Sequence, residues 1–166
     1  MSALVELCVR TLLIGVGATL VMDAWAWVLA RFGVPSLRMA FLGRWIGHLV
    51  HGVWRHPSIA AAPQIPNESR LGWAAHYTIG ISFAALLLGT GGLAWARSPS
   101  IGPAMAVGLL TVVAPLFILQ PGMGAGIASS RTSRPVFNAA KSVVTHTVFG
   151  LGLYLAALVT AVLLPS

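Results

Sequence analysis

The sequence predicts an all-α, polytopic membrane protein: four transmembrane helices in a bundle, with one interfacial amphipathic helix in the first loop. Three observations lead there. Of 166 residues, 57% are hydrophobic and only 8% are charged, which is too few charges to clothe a soluble domain of this size. Four apolar stretches approach or exceed the roughly 20 residues that cross hydrocarbon. The arginines gather between those stretches instead of spreading over a surface. No hydrophilic linker or low-complexity tail divides the chain, so residues 1–166 read as one integral membrane domain.

The first span covers about Leu12–Ala30, between Arg10 and Arg31. A cleaved leader is not expected, because Met1–Glu6 lacks a basic start and the apolar run is long and contains Asp23. The first loop, Phe32 to Arg70, holds a candidate helix at Leu37–Trp54. Its Arg44, His48, His51 and Arg55 recur at helical spacing, while Phe41, Leu42, Trp45, Ile46, Leu49, Val50 and Val53 fill the remaining circumference. That pattern fits a helix lying in the membrane interface better than a fifth span, which would place two arginines and two histidines in lipid.

The second span covers Leu71–Ala96, with Asn67 offered as its cap. Its Gly89-Thr-Gly-Gly92 run leaves a smooth helix surface on which homo-oligomers could form. The third covers Ile101–Leu119. Pro103 suits a first helical turn, whereas Pro115 predicts a kink or a freed carbonyl. The fourth, Val136–Leu164, exceeds the hydrocarbon thickness and predicts tilt or projection.

Charge placement sets the expected orientation. The net charge of +7 reads as topology and not as a nucleic-acid face. Arg38, Arg44, Arg55 and Arg70 lie in the first loop, and Arg131 and Arg134 in the third. The opposite side has only Arg10 and Arg97, so both long loops are expected in the cytoplasm and both termini outside. Cys8 is the single cysteine, so no internal disulfide forms.

Three spans carry one ionisable residue each on a stripe of small residues. Gly15, Thr19 and Asp23 are four apart, as are Gly72, His76, Gly80 and Ala84, and Ser142, His146 and Gly150. Small residues at this spacing let backbones approach closely, and ionisable groups inside a membrane usually face a bundle interior or a wet cavity. At 1.5 Å per residue, Asp23 lies about 10 Å and His76 about 8 Å from the cytoplasmic ends of their spans, with His146 about 15 Å past Val136. The expectation is one buried polar layer of Asp23, His76 and His146, with Arg44, His48, His51 and Glu68 as a cytoplasmic gate or cap. His56 is expected on the surface. Asn138, Lys141, Ser142 and Thr145 continue a polar stripe down the fourth span, read either as an entry path or as an interfacial anchor. His76-x-x-x-Gly80 and His146-x-x-x-Gly150 suggest a weak internal repeat of two spans per half.

The loop Gln120-Pro-Gly-Met-Gly-Ala-Gly126 offers a second candidate. Gly122, Gly124 and Gly126 can adopt positive φ, and with Arg131 and Arg134 could form an anion nest. A flexible turn is the alternative, since the spacing matches no phosphate loop.

Several of these segments resemble a known family: Gly17-Ala-Thr-Leu-Val-Met-Asp23-Ala-Trp25, Gly43-Arg-Trp45, Gly47-His48, Glu68, Gly72-Trp-Ala-Ala-His76-Tyr77-x-x-Gly80, the glycine loop, and Asn138-x-x-Lys141-x-x-x-x-His146-x-x-x-Gly150. The resemblance is to DUF2938-like bacterial inner-membrane proteins, known only as a domain of unknown function. It implies a bacterial multi-pass membrane protein and no particular activity or cofactor.

Function is therefore open among three expectations. The leading one is a proton, ion or small polar solute bound or moved through the Asp/His layer, with the lipid bilayer as surroundings, no nucleic-acid partner and no catalytic residues. The second is a membrane-embedded metal, haem or quinone enzyme, with Asp23, His76 and His146 as the metal ligands if there is a metal. The third is a structural or assembly subunit.

Overall fold

A computed structural model describes residues 2–164. Helix α1 (Ala3–Arg31) starts where the Ser2 hydroxyl accepts the Val5 N–H. It is followed by α2 (Met39–Leu49), α3 (Glu68–Arg97), α4 (Ile101–Leu110), a π-helical segment (Ala114–Leu119), the short α5 (Gln120–Gly122), a 3-10 turn (Ile127–Ser129) and α6 (Pro135–Leu163). Four stretches are long and apolar enough to cross a membrane: α1, α3, Ile101–Gly122 and α6. At 11 residues, α2 rises about 16 Å, roughly half a bilayer core.

The helices pack as a row of pairs: α3 against α1, α1 against α6, and α6 against α4. Glycines set each seam. A Cβ at Gly15 would stand 2.5 Å from the Ile81 backbone, and one at Gly80 would stand 2.0 Å from the Thr19 hydroxyl. On its other side α1 meets α6, where Gly17 faces Ala156 and Gly152 faces Ala18. Gly108 of α4 faces Gly150 of α6, again at 2.5 Å for a built Cβ. The two His-x-x-x-Gly segments thus do the same job: Gly80 and Gly150 each bring in a neighbouring helix one turn from the histidine.

At the end that holds both termini, the row is closed. A core of Ile14, Leu87, Leu88, Trp95, Ala104, Phe149 and Leu153 fills it. Arg10, 1% exposed, donates from Nε to Glu6 at 2.8 Å and from Nη1 to the carbonyls of Ala96 and Thr160. Its Nη2 reaches the Leu164 carbonyl. Arg97 pairs with the other Glu6 oxygen at 2.6 Å.

Three local expectations change. The helix expected over Leu37–Trp54 is shorter, since α2 ends at Leu49 and a turn with Gly52 at φ +80° follows. The Gly89–Gly92 run is not a smooth helix surface, because Gly92 at φ +63° breaks α3 there. Asn67 precedes α3 in a left-handed conformation and makes no capping bond. At Pro115, which lacks an N–H, the chain runs as a π-turn in which the Gln120 N–H reaches the Pro115 carbonyl, and the Thr111 carbonyl is not left free but accepts the Ala114 N–H.

Candidate functional site

The α1–α3 seam builds the first half of the site. The Thr19 hydroxyl donates to the Gly15 carbonyl at 2.8 Å, which satisfies the polar group lying at the contact where Gly80 passes. One turn further on, Asp23 meets His76, with Nε2 to Oδ1 at 2.9 Å. The Tyr77 hydroxyl donates to Asp23 Oδ2, also at 2.9 Å. The Asp23 and His76 side chains keep 22% and 17% exposure, so the pair is covered but reachable.

The α4–α6 seam builds the second half. His146 Nδ1 lies 3.0 Å from the Thr111 hydroxyl, which is itself 2.8 Å from the Gly108 carbonyl. A carbonyl can only accept, so the single hydroxyl proton goes to Gly108 and Thr111 accepts from His146 Nδ1–H. His146 Nε2 then carries a lone pair.

Between the halves lies a cavity of about 600 Å³. Asp23, His76 and His146 all border it, so sequence spacing placed the three residues around one space. They do not bond to one another as a layer, since Asp23 takes His76 and Tyr77 while His146 takes Thr111. Phe83 and Phe149 also line it and meet edge-to-face, with ring centroids 6.1 Å apart. A second opening of about 340 Å³, lined also by Arg38, Ser69 and Trp73, shares Asp23, Ala26, Ser36, Leu37 and Met39 with the cavity. Asp23 is the ionisable residue that borders both.

The residues expected to cap this space lie elsewhere. The cavity floor is Phe41, Leu42 and Trp45 of α2. Arg44 turns away from it and forks onto Glu68, with both bonds 2.8 Å, while Nη1 holds the carbonyls of Ile59, Ala60 and Ala62. Bonding to Glu68 raises the guanidinium's pKa above its ordinary value. His48 Nδ1 lies 2.7 Å from His56 Nε2, and His51 is exposed beyond the helix end. His56 is buried, not exposed, because its backbone N–H and its ring both reach the Gly122 carbonyl. These groups staple the first loop to α3 and α5.

On α6, Asn138, Lys141, Ser142 and Thr145 line the cavity. Gln120 donates to Ser142 and accepts from Ser129, each at 3.0 Å, and Asn138 donates to Thr132. Lys141 donates to the Pro35 carbonyl at 2.6 Å. In the glycine loop, Gly122 and Gly124 press against Trp54 and Pro57 of the first loop, while Gly126 abuts Ser130 and Arg131. The N–H groups of Met123, Gly124, Ala125 and Arg131 are spent on loop carbonyls, and Arg131 and Arg134 are exposed.

Two contributors went unread in the sequence, Tyr77 and Thr111. Tyr77 follows His76 directly and falls off its stripe, yet a tyrosine is long enough to reach around the helix. Thr111 looks like one polar residue in an apolar span, and only the partner helix reveals its role. Among the described residues no three His, Cys, Asp or Glu side chains lie close enough to share a metal ion.

No match was found among curated proteins or solved structures. The model of a family described as "Protein of unknown function (DUF2938)" matches residues 12–160. That span takes in every residue that borders the cavity, and the chain belongs to the DUF2938 family.

Proposed function

We propose that this protein binds or moves a proton, ion or small polar solute through the Asp23–His76–His146 cavity, as a multi-pass protein of a bacterial inner membrane with both termini in the periplasm. The observation that carries the reading is the place of Asp23. It is hydrogen-bonded to the His76 imidazole and is the ionisable residue that borders both the cavity and the second opening. Purely structural glue would need no such space, since a polar interhelical bond contributes about 1 kcal/mol in a membrane without one. In this reading Asp23 is the charged acceptor and the two histidines are exchangeable proton carriers.

Proteoliposomes loaded with a pH-sensitive dye test the reading. The wild type is expected to show pH-dependent flux, and Asp23→Asn to abolish it. Equal flux from the variant, or none from the wild type, removes this role.

A further inference from the structure

Two imidazole nitrogens and one carboxylate on the cavity wall offer lone pairs, and they suggest what the cavity takes. His146 Nε2 presents a lone pair, because its other nitrogen donates to Thr111. His76 uses Nε2 toward Asp23, so in its neutral form Nδ1 is an acceptor as well. Asp23 is the one carboxylate on the lining. The one cation there, Lys141, directs one N–H to the Pro35 carbonyl and keeps its charge. Phe83 and Phe149 also line the walls, and aromatic rings attract cations; Phe41, on the same lining, already carries the Arg38 and Arg44 guanidiniums at 4.9 and 5.4 Å from its centroid. A volume of about 600 Å³ suits a small organic molecule and far exceeds a bare ion.

We propose that the cavity's ligand is a lipophilic cation with N–H donors, a protonated amine on an apolar body, and that it binds in exchange for one proton of the Asp23–His76 pair. The proposal rests on the reading above and names its solute. With His76 protonated, the pair is neutral overall and offers a cation nothing. With His76 neutral, the pair carries one negative charge. The amine and the imidazole proton therefore compete for one carboxylate, and each weakens the other by the same factor. One positive charge enters as one proton leaves. The ionisable groups facing the pair are Tyr77 on α3, Arg38 in the segment before α2, and Lys141 and His146 across the cavity on α6. On α2 itself, Arg44 is already paired with Glu68.

Calorimetry on the purified full chain in detergent tests this with three probes that share one apolar body: 4-phenylbutylamine, 4-phenylbutanol and 4-phenylbutyrate. The amine is expected to bind about tenfold or more tighter than the other two. Its affinity should rise with pH, approaching about tenfold per unit as one-for-one exchange requires and levelling off once the free pair has lost its proton. Titrations in buffers of different ionisation enthalpy should show release approaching one proton per amine. His76→Gln keeps a donor to Asp23, and is expected to retain amine binding and flatten its pH dependence. Asp23→Asn should erase the preference for the amine over the alcohol, while Tyr77→Phe keeps it. Alcohol or butyrate binding as tightly as the amine overturns the proposal, as does amine binding that ignores pH in the wild type. Asp23-dependent proton flux without amine binding would sink the cation and spare the pathway. Proton-releasing amine binding without flux would do the reverse.

Discussion

Arg10 joins more of the molecule than any residue at the cavity. It bonds to Glu6 on its own helix, to Ala96 at the end of α3, and to Thr160 and Leu164 at the end of α6. The planar five-donor fork of arginine is what allows this, and lysine lacks it. Arg10→Lys is expected to lower the Tm by about 5 °C or more, at roughly 2–4 °C per kcal/mol for a chain of this size, read by scanning fluorimetry in detergent. Arg97→Ala should cost less, because that side chain is 43% exposed. Nothing in the sequence separates Arg10 from an ordinary flanking arginine, since burial of a charge depends on where three distant helix ends fall. The same limit hid Thr111 and Tyr77. Asp23, His76 and His146, by contrast, were legible, because an ionisable residue on a stripe of small residues is improbable in hydrocarbon without a reason.

Glycine-based seams let the elements be tested one at a time. At the α2–α3 crossing a Cβ on Gly72 would stand 1.8 Å from the Met39 carbonyl, and one on Gly43 equally close to that of Glu68. Gly72→Ala must push α2 off α3, at about 1–3 kcal/mol by the usual cost of overpacking. Gly89→Ala meets nothing within 4 Å and removes a flexible residue from a helix, so a gain of about 0.5–1 kcal/mol is expected. Chemical denaturation of the two variants in mixed micelles should move their midpoints in opposite directions. The existence of each span could be read from length and hydropathy alone. The end of α2 at Leu49 could not, because Val50, Val53 and Trp54 continue the apolar pattern yet lie exposed around the turn at Gly52, where Trp45 donates to the Trp54 carbonyl at 2.9 Å.

At the scale of the whole molecule, the two long loops meet at one end and the termini at the other. The first and third loops are joined by backbone bonds from His56 to Gly122 and from Ile59 to Met123. If the arginine-rich end faces the cytoplasm, a phosphatase active only in the periplasm should be active when fused after Leu164, and a fluorescent protein fused there should stay dark. The reverse pattern would invert the orientation. Phe83 of α3 and Phe149 of α6 both line the cavity and meet edge-to-face. The contact that joins those two helices is thus also part of the wall a solute would touch, so any parting of α3 from α6 would be felt by whatever the cavity holds.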